Sequence, residues 1–127
     1  MTQTVRGGLL GTAKINGGII PAIRASKRGE LVAVASREAG RAEAYAREWN
    51  IPRAHGSYEN LVADPGIDVI YNSLPNSLHA PWTIRALTAG KHALCEKPFA
   101  LTTDDVDAMF AAARTARRVV ADGFMYR

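Results

Sequence analysis

Short apolar segments alternate with helical patterns along the chain. Five segments have the length and apolar content of β-strands: residues 5–10, 31–35, 67–74, 92–95 and 119–125. Helical patterns lie between them, at residues 19–26, 39–49, 77–89 and 103–117, with a short one after Ser57. Apolar strands joined by helices are typical of a parallel sheet with both faces covered. The pattern therefore predicts an α/β fold with a doubly wound, mainly parallel sheet in three αβα layers.

The last helical pattern is the clearest of them. One apolar set recurs at the spacing of a helix face: Val106, Met109, Phe110 and Ala113. Acidic residues occupy its first turn and arginines its last, as the helix dipole favours: Asp104, Asp105 and Asp107, then Arg114, Arg117 and Arg118. We interpret the aspartates as helix-start residues and not as a catalytic pair. Two other helices contain Pro21 and Pro81, and we expect each to begin close to its proline or to kink there.

Length and composition are those of a soluble single domain. The chain has 127 residues, and 47% hydrophobic residues argue against disorder. No apolar run approaches the ~20 residues that span a bilayer, and the first residues show no secretory signal pattern. Cys95 is the single cysteine, so an internal disulfide is excluded and a cytoplasmic location is expected. No motif pairs Cys95 with a base, and we interpret it as a buried strand residue.

The net charge of +4 does not indicate a nucleic-acid partner. The basic residues are spread along the chain and form no stripe with aromatic residues, so we expect no nucleic acid and no membrane partner. A dispersed positive excess serves solubility or attracts a small phosphate-bearing molecule. The histidines and Cys95 show no metal-ligand spacing, and we expect no metal.

A glycine-containing turn follows the first strand, with the sequence GLLGTAKING at residues 8–17. The dinucleotide fingerprint needs three small residues there, for the tight turn, the approach of the pyrophosphate and the packing of the helix. Gly11, Ala13 and Asn16 occupy that spacing, and Asn16 is the largest departure. Free N–H groups at the start of the next helix favour a phosphate. The alternative is a tight strand-to-helix turn that binds no ligand.

The second strand ends in the sequence ASRE, residues 35–38, with no acid at its tip. NAD-binding proteins usually place an acid there for the ribose hydroxyls, and an acid repels a 2′-phosphate. The guanidinium of Arg37 can instead bind that phosphate through two parallel hydrogen bonds. We therefore predict a preference for NADP(H), with NAD(H) as the alternative cofactor. The competing interpretation makes Ser36 a helix cap and Arg37 a solvated charge.

The strand at residues 92–95 runs directly into Glu96, Lys97 and Pro98. Strand ends carry the chemistry of open α/β sheets. Hydride transfer to a carbonyl builds negative charge on its oxygen, which a nearby ammonium stabilises and protonates. Pro98 restricts Lys97 to extended backbone, which aims its side chain consistently. The alternative is that Lys97 only pairs with Glu96 or another carboxylate.

Four motifs in this order resemble the N-terminal Rossmann domain of the Gfo/Idh/MocA oxidoreductases, which include glucose-fructose oxidoreductase and inositol dehydrogenase. They are the glycine turn, ASRE, LPNSLH at residues 74–79 and CEKPF at residues 95–99, and the likeness covers residues 4–127. The resemblance implies a domain that binds NAD(P) in an enzyme acting on sugars, polyols or related hydroxyl and carbonyl compounds.

The resemblance also implies roles for individual residues. Lys97 is the implied catalytic residue, because the family's lysine approaches both the nicotinamide and the substrate oxygen. The implied cofactor contacts are Gly11, Thr12, Ala13, Lys14 and Ile15 at the pyrophosphate, Ser36 and Arg37 at the adenosine ribose, Leu74, Pro75, Asn76 and His79 on the nicotinamide side, and Glu96 with Lys97 in the Glu-Lys-Pro signature.

Family members join this domain to a larger C-terminal domain that supplies most of the substrate pocket. We therefore expect one Rossmann domain at residues 1–127, with the substrate domain absent and the active site of this chain alone incomplete. Apolar surface left exposed favours self-association as a homo-oligomer. The alternative function is a non-catalytic NAD(P)-binding sensor or regulatory module, although the lysine of the signature favours the enzyme.

Overall fold

The computed structural model describes residues 4–14, 16–96 and 100–122. Within these residues the chain forms six strands: β1 (Val5–Leu10), β2 (Gly29–Ala35), β3 (Arg53–His55), β4 (Val69–Asn72), β5 (His92–Cys95) and β6 (Val120–Asp122). Five α-helices connect them: α1 (Asn16–Ala25), α2 (Ala39–Trp49), α3 (Tyr58–Ala63), α4 (His79–Thr88) and α5 (Thr103–Ala116). A short 3₁₀ helix, Asn76–Leu78, precedes α4.

All six strands are parallel and form one sheet in the order β3-β2-β1-β4-β5-β6. The chain runs outward from β1 through β2 to β3, then crosses back to β4 on the other side of β1. The direction of strand order therefore reverses between β1 and β4, which is where open α/β sheets form a crevice at the carboxyl ends of their strands. The doubly wound, three-layer fold expected from the sequence is confirmed.

Helices cover both faces of the sheet. Apolar residues under α1 and α2 form one buried group that includes Leu9, Ile20, Val34 and Ala46. On the opposite face, α3 and α4 pack over a second group that includes Leu10, Leu61, Ile70 and Ala86. The helix α5 extends that second layer through Met109, which packs near Cys95, and Ala113, which packs near Leu87. Near-continuous apolar strands are needed because both faces of these central strands are covered.

Two strands differ from the sequence-based expectation. The edge strand β3 was not predicted, because its three residues, Arg-Ala-His, form no apolar run. The apolar segment at residues 67–74 was predicted as a strand, but only Val69–Asn72 pair in the sheet. Ile67 and Leu74 are nevertheless buried, at 3% and 4% exposure, in the connections on either side. Burial alone therefore does not mark the ends of β4.

The helix starts were predicted with mixed success. The helix α1 does not begin close to Pro21, because it starts at Asn16 and contains Pro21 in its interior; a kink at Pro21, the other outcome expected from the sequence, stays a prediction. The helix α4 does begin two residues before Pro81, and Ser57 caps α3 by accepting from the N–H of Asn60. In α5, Thr102 accepts from the N–H of Asp105, which agrees with the helix-start interpretation of the nearby acids.

An apolar groove of about 310 Å³ runs beside α1 on the face that α1 and α2 cover. Its walls include Gly7, Ile19, Ile23 and Val69, and a smaller apolar pocket continues from it toward Leu94. Apolar surface of this kind favours association, so self-association of the chain stays a prediction. None of the helices in the described ranges combines the length and apolar content that a bilayer span requires.

Candidate cofactor-binding site

The carboxyl ends of the central strands are joined by hydrogen bonds at one edge of the sheet. Three backbone N–H groups beyond the strand ends each donate to a residue of a neighbouring strand: Gly11 to Ala35 at 2.9 Å, Ser73 to Leu10 at 3.4 Å, and Glu96 to Asn72 at 3.0 Å. The turn after β1, the tip of β2, the loop after β4 and the residue after β5 therefore meet at this edge. These are the segments that carry the four sequence motifs.

The turn after β1 requires glycine at its first position. Gly11 has a φ of +99°, a conformation that residues with a side chain rarely adopt. A Cβ atom there would also lie 3.0 Å from Cδ2 of Leu74, because the two segments pack closely at the switch between β1 and β4. Leu74 is itself buried, so its side chain supports the turn. The glycine fingerprint thus has a steric basis at this position.

Asn16, the departure from the fingerprint, lies inside the turn. It is the first residue of α1 and is fully buried. Its Nδ2 donates to the carbonyl oxygen of Gly11 at 3.0 Å, and its backbone N–H donates to that of Ala13 at 3.2 Å. Within the described residues, no backbone carbonyl accepts from the N–H groups of Thr12, Ala13 and Lys14. The turn therefore offers N–H groups at a helix start, which is a favourable place for an anion.

The tip of β2 presents one buried and one exposed polar residue. Ser36 is buried and its Oγ accepts from the N–H of Glu38 at 3.3 Å, while Arg37 is exposed. The N-cap residue of α2 is Glu38 and not Ser36. Ser36 therefore forms a turn ahead of the helix, which leaves the Arg37 side chain directed to solvent at the sheet edge.

A second arginine, Arg41, was not predicted from the sequence. It lies in the first turn of α2 and lines a shallow pocket of about 330 Å³ together with Thr12 and Tyr45. The pocket thus joins the glycine turn to the helix that follows the β2 tip. The sequence signal was the spacing of four residues from Arg37 to Arg41 to Tyr45, which places the last two on one face of a helix.

The loop after β4 is held by a buried polar network. Asn72 donates from Nδ2 to the carbonyl oxygen of His79 at 3.1 Å and to Oγ1 of Thr83 at 3.0 Å, and its Oδ1 accepts from the N–H of Leu74. His79 is 1% exposed and donates from Nε2 to the carbonyl oxygen of Leu74 at 2.7 Å. A carbonyl only accepts, so Nε2 carries a proton. His79 and Asn72 therefore shape the loop, while Pro75 and Asn76 are exposed on it.

Glu96 is the part of the Glu-Lys-Pro signature that the structure describes. Its carboxylate accepts a hydrogen bond from the hydroxyl of Tyr71. Lys97 and Pro98, and Ile15 in the glycine turn, lie outside the described residues. Tyr71 was not predicted as a site residue, because in the sequence it is one apolar position of the β4 segment.

Among residues 4–14, 16–96 and 100–122, no three side chains of the types that ligate metals come together. The chemistry available at the sheet edge is therefore that of backbone N–H groups, arginines and a carboxylate. A helix start with N–H donors, a positive-φ glycine and a parallel sheet that reverses direction at that point define a nucleotide-binding α/β domain.

Comparison with known proteins agrees with this class. Residues 5–124 match the Gfo/Idh/MocA oxidoreductase family, described as having an NAD-binding Rossmann fold. The chain is similar to D-xylose 1-dehydrogenase (NADP(+)) 2 of Haloferax volcanii, with 46% identity over 94% of the chain and 37% of that protein. It is also similar to 1,5-anhydro-D-fructose reductase of Ensifer adhaerens, with 46% identity over 87% of the chain and 33% of that protein.

A solved structure shows the same likeness. The chain superposes on KijD10, a 3-ketoreductase from Actinomadura kijaniata in complex with NADP, with a TM-score of 0.89 and 34% identity, over 96% of the chain and 39% of that protein. The chain belongs to the Gfo/Idh/MocA oxidoreductase family and is an NAD(P)-binding Rossmann domain. It spans about a third of the length of the curated relatives it matches.

Proposed function

We propose that this chain is the NADP(H)-binding domain of an oxidoreductase that acts on a sugar, a polyol or a related hydroxyl or carbonyl compound. The observation that carries the proposal is the edge formed by the glycine turn and the arginine-bearing tip of β2, at the reversal of strand order. The names of the Haloferax volcanii and Ensifer adhaerens relatives, both of which indicate sugar-type substrates, support the substrate class.

The residues present fit a dinucleotide. Gly11 leaves no room for a Cβ beside Leu74, and the turn that follows it offers N–H groups to a diphosphate. Thr12, Ala13 and Lys14 would hold the diphosphate, with Ile15 continuing the turn. Pro75 and Asn76, exposed on the loop shaped by Asn72 and His79, would lie on the nicotinamide side. Bound NADP(H) supplies or accepts the hydride.

The preference for NADP(H) rests on charge at the tip of β2. Ser36 holds the turn there, Arg37 is exposed, and Arg41 lines the pocket that adjoins Thr12. A guanidinium binds a phosphate through two charge-assisted hydrogen bonds, each about 1.5–3 kcal/mol. Two arginines in this region favour the 2′-phosphate that distinguishes NADP from NAD.

Lys97 is the proposed acid–base residue. In the sequence it follows Glu96, whose backbone and carboxylate are both held by β4 at the site edge. Its ammonium would stabilise negative charge on the substrate oxygen during reduction and protonate that oxygen, and would take the proton back during oxidation. The chain spans about a third of the length of its relatives. The proposal therefore includes selection of the substrate by other parts of the protein.

The test is a calorimetric titration of the chain with NADP⁺ and NAD⁺. We expect NADP⁺ to bind at least about tenfold more tightly, and Arg37→Gln to remove most of that difference while leaving NAD⁺ affinity unchanged. Arg47→Gln is the matched control, because Arg47 is an exposed arginine in the last turn of the same helix that carries Arg41. Equal affinity for the two cofactors, or tighter NAD⁺ binding, excludes the phosphate-binding role of Arg37.

A further inference from the structure

Side-chain donors engage two carbonyl oxygens of the glycine turn, those of Gly11 and Ala13. Asn16 reaches back from α1 and donates from Nδ2 to the Gly11 oxygen at 3.0 Å, in a buried hydrogen bond. The hydroxyl of Tyr45, on α2, donates to the Ala13 oxygen at 3.2 Å. The Ala13 oxygen also accepts from the backbone N–H of Asn16. The turn is therefore held from its own helix and from the neighbouring one.

The Tyr45 hydroxyl is a dependable donor at neutral pH. Burial raises its pKa above the ordinary value; the nearby Asn16 amide lowers it by less, and the Glu48 carboxylate adds a small increase. The phenol therefore keeps its proton, and the hydrogen bond to Ala13 persists through the physiological range. Tyr45 also packs against Trp49, with ring centroids 6.3 Å apart, so the position of its ring on α2 is restrained.

Burial of the Asn16 side chain costs free energy, because one of its two polar atoms is left without a hydrogen bond in the part of the chain that the structure describes. Within the described residues, its Oδ1 is a buried side-chain oxygen with no hydrogen-bond partner. A buried acceptor left without a donor costs about 1–3 kcal/mol, so such a group is uncommon unless another property of the site retains it. A glycine or alanine, which the fingerprint specifies at this position, would carry no such cost. The donor end of the amide, bonded to Gly11, is therefore the part in use.

Carbonyl oxygens near a phosphate are unfavourable, because both carry negative charge. A flexible glycine turn can present either its N–H or its C=O groups, and ordering it on binding costs free energy. The oxygens of Gly11 and Ala13 are engaged within the protein, whereas no backbone carbonyl of the described residues accepts from the N–H groups of Thr12, Ala13 and Lys14, so these three N–H groups remain available to an anion. Residues 11–14 of the turn are thus held by these hydrogen bonds with N–H groups available to a diphosphate.

We propose that Asn16, at the third position of the fingerprint, and Tyr45, on the neighbouring helix, are positioning residues for diphosphate binding, which hold the turn through its carbonyl oxygens. This inference rests on the proposed function, since it deepens the account of how the same site binds NADP(H). It differs from the role of Arg37, because the diphosphate is shared by NADP and NAD whereas the 2′-phosphate is not.

The experiment is a titration of the chain and its variants with four probes: NADP⁺, NAD⁺, ADP and 2′-AMP. Asn16→Ala, Asn16→Gly and Tyr45→Phe should each weaken the three diphosphate ligands by a common factor of about five to ten, the equivalent of one hydrogen bond. In the two Asn16 variants, affinity for 2′-AMP, which has no diphosphate, should stay within about twofold of the wild type, because Asn16 is buried and does not line the pocket that contains Arg41. Arg37→Gln should give the reverse pattern, losing NADP⁺ and 2′-AMP while keeping NAD⁺ and ADP.

Tyr58→Phe is the matched control for Tyr45→Phe, because Tyr58 is a partly buried tyrosine that packs on Trp82, away from the turn. All variants are compared at a temperature where circular dichroism shows each of them folded. The inference would be overturned if Asn16→Ala bound the diphosphate ligands as tightly as the wild type, or if Asn16→Gly bound them more tightly. It would also be overturned if the Asn16 variants lost as much affinity for 2′-AMP as for the diphosphate ligands. A wild-type chain that binds none of the four probes would instead remove the proposed function.

Discussion

The hydroxyl of Tyr71, in the middle of the sheet, donates a hydrogen bond to Oε2 of Glu96 at its carboxyl edge. Burial raises the pKa of Tyr71 well above its ordinary value, and the hydrogen bond to Glu96 raises it further, so the phenol keeps its proton. The same strand holds the backbone of Glu96, whose N–H donates to the Asn72 oxygen at 3.0 Å. Two hydrogen bonds from β4 therefore hold the residue that precedes Lys97.

Tyr71→Phe tests this anchor. The ring remains in the core and only the hydroxyl is lost, so the free energy of unfolding should fall by about 2 kcal/mol, the contribution of a hydrogen bond to a charged group. Urea unfolding measures the change, and hydrogen exchange of the Glu96 amide should become faster. Tyr58→Phe, which removes a hydroxyl from a ring that packs on Trp82, should change stability by less than about 0.5 kcal/mol. Equal losses in the two variants would mean that the bond to Glu96 contributes nothing.

We expect stability at acidic pH to depend on Asp64, the residue after α3, whose carboxylate is bonded to Arg53 and His55 of β3. Burial by itself raises the pKa of this carboxyl, but hydrogen bonds from His55, Gly66 and Arg53 outweigh it and lower the pKa to about 2. A lowered pKa means that the charged form stabilises the fold above about pH 4 and that this stability is lost as the pH falls toward 2. The contribution is about 2 kcal/mol.

Asp64→Asn should therefore lower stability at pH 7 and flatten the loss between pH 4 and pH 2, as measured by urea unfolding at a series of pH values. Asp68→Asn is the control. The carboxyl of Asp68 also has a lowered pKa, mainly through the hydrogen bond from Arg6. The Asp68 side chain is 36% exposed and that of Arg6 is 43% exposed, so solvent screens this ion pair. A wild-type pH profile in Asp64→Asn would show that Asp64 does not cause the acid sensitivity.

Two glycines, Gly11 and Gly90, have similar backbone angles, so substitutions at these positions can distinguish the effect of backbone strain from a role in cofactor binding. Gly11 has a φ of +99° and Gly90, in the loop after α4, has a φ of +91°. Alanine at either position is strained by about 1–2 kcal/mol, but only at Gly11 would its Cβ also meet Leu74, at 3.0 Å. Gly11→Ala should be the less stable variant by thermal unfolding and should bind NADP⁺ and NAD⁺ more weakly. Gly90→Ala should lower stability and leave the affinity for NADP⁺ and NAD⁺ unchanged. Weaker cofactor binding in Gly90→Ala would refute the assignment of the glycine turn as the binding site.

Lys97 is tested by turnover. The proposed enzyme function can be assayed with a fusion of residues 1–127 to the part of the Haloferax volcanii relative beyond the aligned region, using D-xylose and NADP⁺, which the name of that relative gives as its substrate and cofactor. Lys97→Met removes the ammonium, and kcat should fall by about 10²–10⁴, the usual contribution of general acid–base catalysis. Lys27→Met, at an exposed lysine after α1, is the matched control and should leave kcat unchanged. Unchanged turnover in Lys97→Met would end its catalytic assignment.

Local patterns predicted most of the secondary structure. The alternation of apolar runs with helical periodicity predicted β1, β5 and α2 with the bounds observed. These elements combine a strong hydrophobic periodicity with clear turn residues on either side. The failures occurred where the sequence signal is weak or misleading. β3 is too short to form an apolar run, and Pro21 sits inside α1 because the helix start is decided by the turn that holds Asn16.

The residues of the candidate site also fall into two groups, those that the sequence identified and those that it did not. Gly11, Ser36 and Arg37 could be named from the sequence because their residue types and their positions at strand ends carry the chemistry. Tyr45 and Tyr71 could not, since each stands on a regular element as an ordinary aromatic residue. Their hydroxyls reach Ala13 and Glu96 from elements that lie 32 and 25 residues away along the chain.

The sequence by itself determined the α/β class, the family and the strand ends that carry the motifs, because apolar periodicity and glycine, arginine and lysine at fixed positions are local properties. The tertiary structure alone decided which carbonyl oxygens are engaged, why Asn16 is tolerated in the turn, and which strand holds Glu96. Those outcomes depend on hydrogen bonds between segments distant in the chain, and such bonds form only after the sheet has brought its carboxyl ends together.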